Sequence, residues 1–375
     1  MSDPKGDPRK PDDAPGGQQP EQLKSAEAPT DATQPTQAAL PAQPGMAQSA
    51  AGLPGSFEAV TQGPAPSAAR PARAASGAAS QRGTVRTIHY DLSYILRNAE
   101  KGTRGAVVLL HDLPGGAFVW QDVLPAFDAT GRAVYAFDML GYGQSEHPWP
   151  SDTSVWGHAD NLSYALRALE LSEVVLVGFG VGGGVAQVLA TRLYREHVAK
   201  LVLIGSYGYD YAFAPNWPLP DMAKRQDPDA PKHTATEQVL ADLRATLPQA
   251  SANPKYLAGS TLDAYVNEWN SHVGKELLFQ HIRLMIPSYI NAVSSYLRTL
   301  EAPTLLIWGE ADTVTPVDLL GRRMAREMPH ARLELVPSAG HLVLNDAPEA
   351  VGRLIADFAG VRREESFVVA SARRG

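Results

Sequence analysis

The chain has 375 residues, 44% of them hydrophobic, and a formal net charge of −7. This length allows one large domain or two smaller ones, and the lack of a basic stripe argues against nucleic-acid binding. Disulfides and cysteine-ligated metals are excluded because the chain has no cysteine. No apolar run approaches the roughly 20 residues that span a bilayer, and no signal-peptide pattern opens the sequence. We therefore expect a cytoplasmic protein without a membrane span.

Residues 1–82 differ in composition from the rest of the chain. They are rich in proline, alanine, glutamine and serine, and Phe57 is their one aromatic residue. Such a segment cannot bury enough apolar surface to offset the entropy lost on ordering, so we predict a disordered tail. The tail is either a simple tether or a segment that binds a protein partner. Residues 361–375 are predicted to form a short C-terminal tail.

From residue 83 onward, apolar runs alternate with amphipathic stretches. The predicted strands are 106–112, 132–139, 173–179, 199–206, 303–309 and 331–338, and the predicted helices are 117–130, 154–171, 182–198, 316–328 and 348–360. Continuously apolar strands separated by helices indicate a doubly wound, mostly parallel sheet covered on both faces. Residues 84–100 are expected to add an antiparallel edge.

The segment 207–300 interrupts this alternation. It is helical in pattern and rich in tyrosine and tryptophan. We interpret it as a helical cap inserted between two parts of an α/β core, 83–206 and 301–360.

Polar or glycine-rich sequences follow several of the predicted strands. They are His111–Gly116, Asp138–Ser145, Gly178–Gly182, Trp308–Asp312 and Ser338–His341. In a parallel sheet, the functional site lies beyond the carboxyl ends of the strands. These sequences are therefore expected to meet at one edge of the sheet.

This set of motifs, in this order, resembles the α/β-hydrolase fold superfamily over residues 85–360. The chain order in that family is nucleophile, acid, histidine, and it falls here on Gly180, Asp312 and His341. The resemblance implies an eight-stranded sheet with a helical cap above the site. Asp312 has an alternative interpretation as the cap of a following helix, and His341 as a structural histidine.

The resemblance also implies an oxyanion hole made by the backbone N–H groups of Leu113 and Val181. Such donors do not depend on a nucleophile side chain. In the family, the histidine at His111 usually braces this loop. Asp112 departs from the glycine usual at its position.

Gly180 stands where the family carries a serine nucleophile. Glycine relieves the strain of this turn, but without a side chain it cannot form an acyl-enzyme. The remaining pair, His341 oriented by Asp312, can act as a general base. The first hypothesis is therefore noncovalent base catalysis of the hydrolase, lyase or cyclase type. The expected substrate is a small apolar carbonyl compound, with no cofactor and no metal.

The alternative is a catalytically inactive pseudo-hydrolase that binds a ligand or a partner. The N-Myc downstream-regulated family, regarded as non-enzymatic, resembles this chain in its His-Asp pair after the first strand and its serine-free glycine elbow. That family does not preserve the Asp/His pair. An engineered serine-to-glycine change in an ordinary hydrolase is a third alternative.

The expected pocket is apolar and roofed by the cap. Its predicted substrate-binding residues are Phe179 beside the elbow and Trp217, Trp269 and Tyr289 from the cap. Each cap aromatic can equally be a core residue.

Overall fold

A computed structural model describes residues 79–360, except 129, 212, 213, 215 and 216. Most of the predicted N-terminal tail and the whole C-terminal tail, 361–375, lie outside the described residues. The boundary at residue 82 is wrong by two residues, because the first strand, β1, begins at Gln81. Its register, Gln81 opposite Leu96, gives the backbone of residues 81 and 82 partners that composition alone did not reveal.

The centre of the fold is an eight-stranded sheet with the strand order β1-β2-β4-β3-β5-β6-β7-β8. The strands are β1 Gln81–Arg86, β2 Asp91–Arg97, β3 Val107–Leu110, β4 Val134–Phe137, β5 Val174–Phe179, β6 Val198–Ile204, β7 Thr304–Gly309 and β8 Ala331–Val336. β1 pairs antiparallel with β2 and β2 pairs antiparallel with β4, and the other neighbouring strands are parallel. The predicted α/β fold class and antiparallel edge are therefore confirmed.

Helices cover the sheet and fill the interval between β6 and β7. The helices outside that interval are α1 Val155–Ala168, α2 Val181–Val188, α9 Gly321–Glu327, α10 Val343–Asp346 and α11 Pro348–Gly360; those within it are α3 Met222–Arg225, α4 Ala230–His233, α5 Thr236–Thr246, α6 Ser260–Asn267, α7 His272–Leu284 and α8 Pro287–Leu297. A π-helical turn, Leu189–Leu193, extends α2. None of the helices in the described part is long and apolar enough to cross a membrane.

Local sequence explains where several of these elements begin. The Ser154 hydroxyl accepts a hydrogen bond from the Gly157 N–H and so caps α1. The predicted helix 117–130 is wrong, because this stretch forms two short 3-10 turns, Ala117–Trp120 and Leu124–Phe127. Pro125 offers no N–H to a longer helix.

The core consists of the central strands and the helix faces packed on them. Every residue of β3, β4, β5 and β7 is buried. Burying one large aliphatic side chain contributes roughly 1.5–3 kcal/mol, so these strands form the rigid base on which the loops at their carboxyl ends are held.

Candidate active site

The turn from β5 into α2 holds Gly180 in a backbone conformation that favours glycine. Its φ is +53°, in a region that other residues adopt only at a cost. A Cβ built on Gly180 would lie 2.0 Å from the carboxyl carbon of Asp112. The Asp112 carboxyl group therefore fills the space that a side chain at position 180 would use.

Asp112 is held there by contacts on both of its carboxylate oxygens. The Val181 N–H donates to Oδ1 at 2.7 Å. Oδ2 lies 3.0 Å from Nε2 of His341, and both side chains are buried. The predicted oxyanion donor Val181 is thus engaged by a carboxylate of the same chain.

His341 lies between two carboxylates. Its Nδ1 is 3.0 Å from Oδ2 of Asp312, which also accepts a 2.7 Å hydrogen bond from the Thr315 hydroxyl. Oδ1 of Asp312 accepts from the N–H groups of Val314 and Thr315. Asp312 therefore accepts from the turn that follows it and contacts His341; it does not cap a helix, because the next helix, α9, begins only at Gly321.

The two carboxylates decide the protonation state of His341. Burial by itself would lower the pKa of the imidazole, but the charges and hydrogen bonds of Asp312 and Asp112 outweigh it and raise the pKa to about 10. At neutral pH the ring is an imidazolium that donates from both nitrogens. The resting site therefore differs from the neutral general base expected from the sequence, because Nε2 has no free lone pair.

His111 fixes the loop that carries Asp112. Its Nε2 accepts a hydrogen bond from the Met139 N–H at 3.0 Å, and its Nδ1 is 3.0 Å from the Asp112 carbonyl oxygen. Burial lowers the pKa of His111, so the ring is neutral and carries its proton on Nδ1. Leu113, the other predicted oxyanion residue, follows Asp112 directly, and its side chain is buried.

Two of the four predicted substrate-binding residues lie against His341. The ring centroids of Phe179 and Trp217 are 5.3 Å and 5.5 Å from the imidazole. The Trp217 indole N–H is buried and has no hydrogen-bond partner among the described residues. These rings give the site an apolar wall and one unused donor.

The other two predicted substrate-binding residues have different neighbours. The Trp269 indole N–H donates to the carbonyl oxygen of Pro114, in the Asp112 loop, at 3.2 Å. Tyr289 is half-buried, and its carbonyl oxygen accepts a hydrogen bond from Trp156 of α1. Trp269 thus supports the loop, whereas Tyr289 ties α8 to α1.

The structure brings Gly180, Val181, Asp312 and His341 together and adds two residues that sequence reasoning did not assign to the site. Thr315 carries no motif that marks it. Asp112 did carry a signal, because an aspartate replaces glycine at the carboxyl end of β3 while a glycine replaces serine at the end of β5. The two departures are complementary, because the Asp112 side chain occupies the space that a side chain at position 180 would fill.

Comparisons with known proteins agree with this architecture. The family model for the alpha/beta hydrolase fold matches residues 105–348. The 2-hydroxymuconate semialdehyde hydrolase of Pseudomonas sp. (strain CF600) is 28% identical over 272 residues, covering 69% of this chain and 88% of the relative. Epoxide hydrolase 3 of Xenopus tropicalis is 25% identical over 343 residues, covering 84% and 89%.

Solved structures show the same fold. An alpha/beta hydrolase fold protein from Burkholderia ambifaria superposes with a TM-score of 0.65 at 24% identity, covering 73% of this chain and 97% of that one. The family match spans more than half of the chain and includes every residue of the site. The chain therefore belongs to the α/β hydrolase fold family.

Proposed function

We propose that this protein is a hydrolase in which Asp112 supplies the nucleophile that Gly180 cannot. The observation that carries the proposal is the position of the Asp112 carboxylate, with Oδ2 at 3.0 Å from His341 Nε2 and Oδ1 on the Val181 N–H. The carboxylate thus lies in the space of an elbow side chain and contacts the histidine that would face a nucleophile there, although it comes from another loop.

A carboxylate in this position needs no base to activate it. A carboxylate oxygen attacks without first losing a proton, and the adjacent His341 imidazolium balances its charge. Attack on an acyl carbon would give a reactive anhydride, whereas attack on a saturated carbon gives an ordinary ester. The favoured substrate class is therefore a small apolar alkyl electrophile, an epoxide or an alkyl halide.

The first step forms one bond and breaks one. Oδ2 of Asp112 attacks the saturated carbon, and the bond from that carbon to the leaving atom breaks; the electron pair goes to a halide ion that departs, or to an epoxide oxygen that stays on the neighbouring carbon. A neutral alkyl ester of Asp112 results. Because this removes one of the two negative charges beside His341, the imidazole pKa falls, and its proton passes through water to the alkoxide oxygen of an opened epoxide or, when a halide ion has left, to solvent.

The second step regenerates the carboxylate. His341, now neutral and still oriented by Asp312, accepts a proton from a water molecule that attacks the ester. The alcohol leaves, and Asp112 and His341 return to the ion pair. The general-base action of His341 and Asp312 that the sequence predicts thus belongs to the second step, after Asp112 has formed the ester. The net reaction consumes one water.

The apolar rings beside His341 fit such a substrate. Phe179 and Trp217 offer no charged group, and Trp217 has an indole N–H available to a leaving atom. The 25% identity to an epoxide hydrolase over 84% of the chain supports the same substrate class.

The second candidate function is the pseudo-hydrolase, and one observation favours it. Asp112 occupies the Val181 N–H and His341 Nε2 together, as a bound anion would, and Asp112, His341 and Asp312 are all buried. In this function the carboxylate blocks the site permanently, and the cap or a tail serves binding only.

Isotope labelling in H2¹⁸O separates these functions. The full chain is incubated with styrene oxide or 1-bromobutane. After many turnovers, the mass of the peptide that contains Asp112 is measured by mass spectrometry. We expect ¹⁸O to accumulate in the Asp112 carboxylate over many turnovers. In a single turnover, with protein in excess over substrate, the oxygen added to the product should be unlabelled, because it comes from Asp112. Asp112→Asn, which keeps the shape and loses the charge, is the control and should form no product.

Two results would overturn the proposal. Product that carries ¹⁸O in the first turnover, with no label in Asp112, would mean direct water attack without a covalent ester. Absence of both product and label with either probe would favour the pseudo-hydrolase.

A further inference from the structure

A surface groove of about 400 Å³ lies away from the candidate active site, at the other end of the sheet. It is lined by Arg167, near the end of α1, and by residues 191–197, which lead into β6. The site at Asp112 and His341 follows the carboxyl ends of strands, whereas this groove precedes β6. A strand of seven residues spans roughly 20 Å, so a ligand in the groove would not touch His341.

The groove is basic although the chain as a whole carries a net charge of −7. Arg167, Arg192 and Arg195 line it, against the single carboxylate of Glu196. The three arginines are exposed, and within the described part of the chain none of them forms an ion pair with a carboxylate. Their charge is therefore available to an anion from solution.

Two of the three guanidinium groups are held in place by aromatic rings. Arg167 lies over the ring of Tyr194 at 5.1 Å and donates to the carbonyl oxygen of Leu193 at 2.8 Å. Arg192 lies over the ring of Tyr296 at 4.5 Å. Positioned side chains lose less entropy when a ligand binds, so these contacts favour binding.

The backbone under the groove is unusual in a way that helps to shape it. Residues 189–193 form a π-helical turn, in which the Tyr194 N–H bonds to the Leu189 carbonyl oxygen at 2.8 Å. The Tyr194 hydroxyl is anchored on the Leu171 carbonyl oxygen. Such turns are rare and occur frequently at functional sites.

We propose that this groove binds the phosphate groups of a small soluble molecule. Guanidinium groups present several N–H donors in a fixed plane and pair with phosphate oxygens two at a time. The volume suits a small ligand, and the excess of three arginines over one glutamate matches a multiply charged anion. The site is independent of the chemistry proposed for Asp112.

Isothermal titration calorimetry of the full chain with inorganic diphosphate tests the proposal at low and moderate salt. We expect one site, weaker binding at higher salt, and at least about a tenfold loss of affinity in Arg192→Gln/Arg195→Gln. The matched control is Arg322→Gln/Arg326→Gln, two exposed arginines of α9 outside the groove, which should bind as the parent does. Similar thermal midpoints of all three proteins would show that the substitutions leave the fold intact.

Three results would overturn the proposal. Absence of a heat of binding would show that the groove does not bind diphosphate. An equal loss of affinity in both double variants would show only nonspecific attraction between charges. Sedimentation with phosphatidic acid vesicles that depends on Arg192 and Arg195, without diphosphate binding, would replace the soluble ligand by a lipid headgroup.

Discussion

Asp112 and Gly180 share one space in the folded chain. The carboxyl carbon of Asp112 lies 2.0 Å from the position of a Cβ on Gly180, so a side chain at one residue excludes the present side-chain position of the other. The carboxylate also takes the Val181 N–H and His341 Nε2 as partners. The elbow glycine is therefore a requirement of the aspartate that faces it.

A first prediction exchanges these two residues. Gly180→Ser alone should be strongly destabilised, because it combines a contact shorter than any real Cβ shows with about 1–3 kcal/mol of positive-φ strain. In Asp112→Gly/Gly180→Ser the carboxyl group is gone, and the serine hydroxyl should lie within reach of His341. We expect the double variant to react with a fluorophosphonate probe, measured by intact mass, and the parent to remain unlabelled.

The control for this exchange is His341→Ala added to the double variant. It should abolish labelling, because a neutral serine without its base is a poor nucleophile. A folded double variant that stays unlabelled would show that the pair His341 and Asp312 cannot activate an elbow serine.

A second prediction concerns the pH dependence set by His341. Its pKa is raised to about 10 in the folded chain, above the unfolded value near 6.5. The resulting stabilisation is fully present below pH 6.5 and is lost as the pH rises towards 10. Asp112→Asn removes one of the two charges, so the His341 pKa should fall, and the loss of stability above pH 6.5 should be smaller and should end at a lower pH.

Urea unfolding between pH 6 and 10, with NMR titration of the His341 ring, measures both effects. Asp318→Asn, which alters an exposed carboxylate paired with Arg322, serves as the matched control and should leave the curve unchanged. An unshifted His341 titration in Asp112→Asn would contradict the ion-pair description of the site.

A third prediction concerns acid stability and His158. Burial, and secondarily the nearby His111, lower the pKa of His158 to about 3. In the unfolded chain His158 binds a proton near pH 6.5, whereas in the folded chain it stays neutral until the pH approaches 3. The free energy of unfolding therefore falls as the pH drops from 6.5 towards 3. Between pH 7 and pH 5 this histidine alone accounts for about 2 kcal/mol of lost stability.

His158→Phe removes the titrating group and keeps a ring beside Tyr142 and His281. The variant should lose less stability than the parent between pH 7 and pH 5, whatever its absolute stability. Identical pH slopes for the two proteins, measured by urea unfolding, would show that His158 is protonated in the fold.

The sequence predicts the sheet and the convergence of Gly180, Asp312 and His341, because continuous apolar runs and strand-end motifs are local signals. It does not predict where the Asp112 carboxylate points. That orientation depends on hydrogen bonds to Val181 and His341, which are 69 and 229 residues away in the chain. The helix expected over 117–130 fails for a local reason instead, because Pro125 lacks the N–H that a continuous helix needs there.

The last prediction concerns Trp217 and its unused donor. Trp217 and Trp120 are both buried, and the indole N–H of each lacks a hydrogen-bond partner among the described residues. Only the Trp217 ring forms a described contact with His341, at 5.5 Å. If its N–H binds the leaving atom of an alkyl substrate, Trp217→Phe should lower kcat/KM at least about tenfold, which corresponds to roughly 1.4 kcal/mol of transition-state stabilisation.

Trp120→Phe makes the same chemical change in a ring without that contact, so it should alter stability but leave kcat/KM within about twofold of the parent. Steady-state kinetics with 1-bromobutane and urea unfolding of both variants provide the comparison. An equal loss of activity in the two variants would assign the effect to packing, and unchanged activity in Trp217→Phe would remove this indole from the reaction.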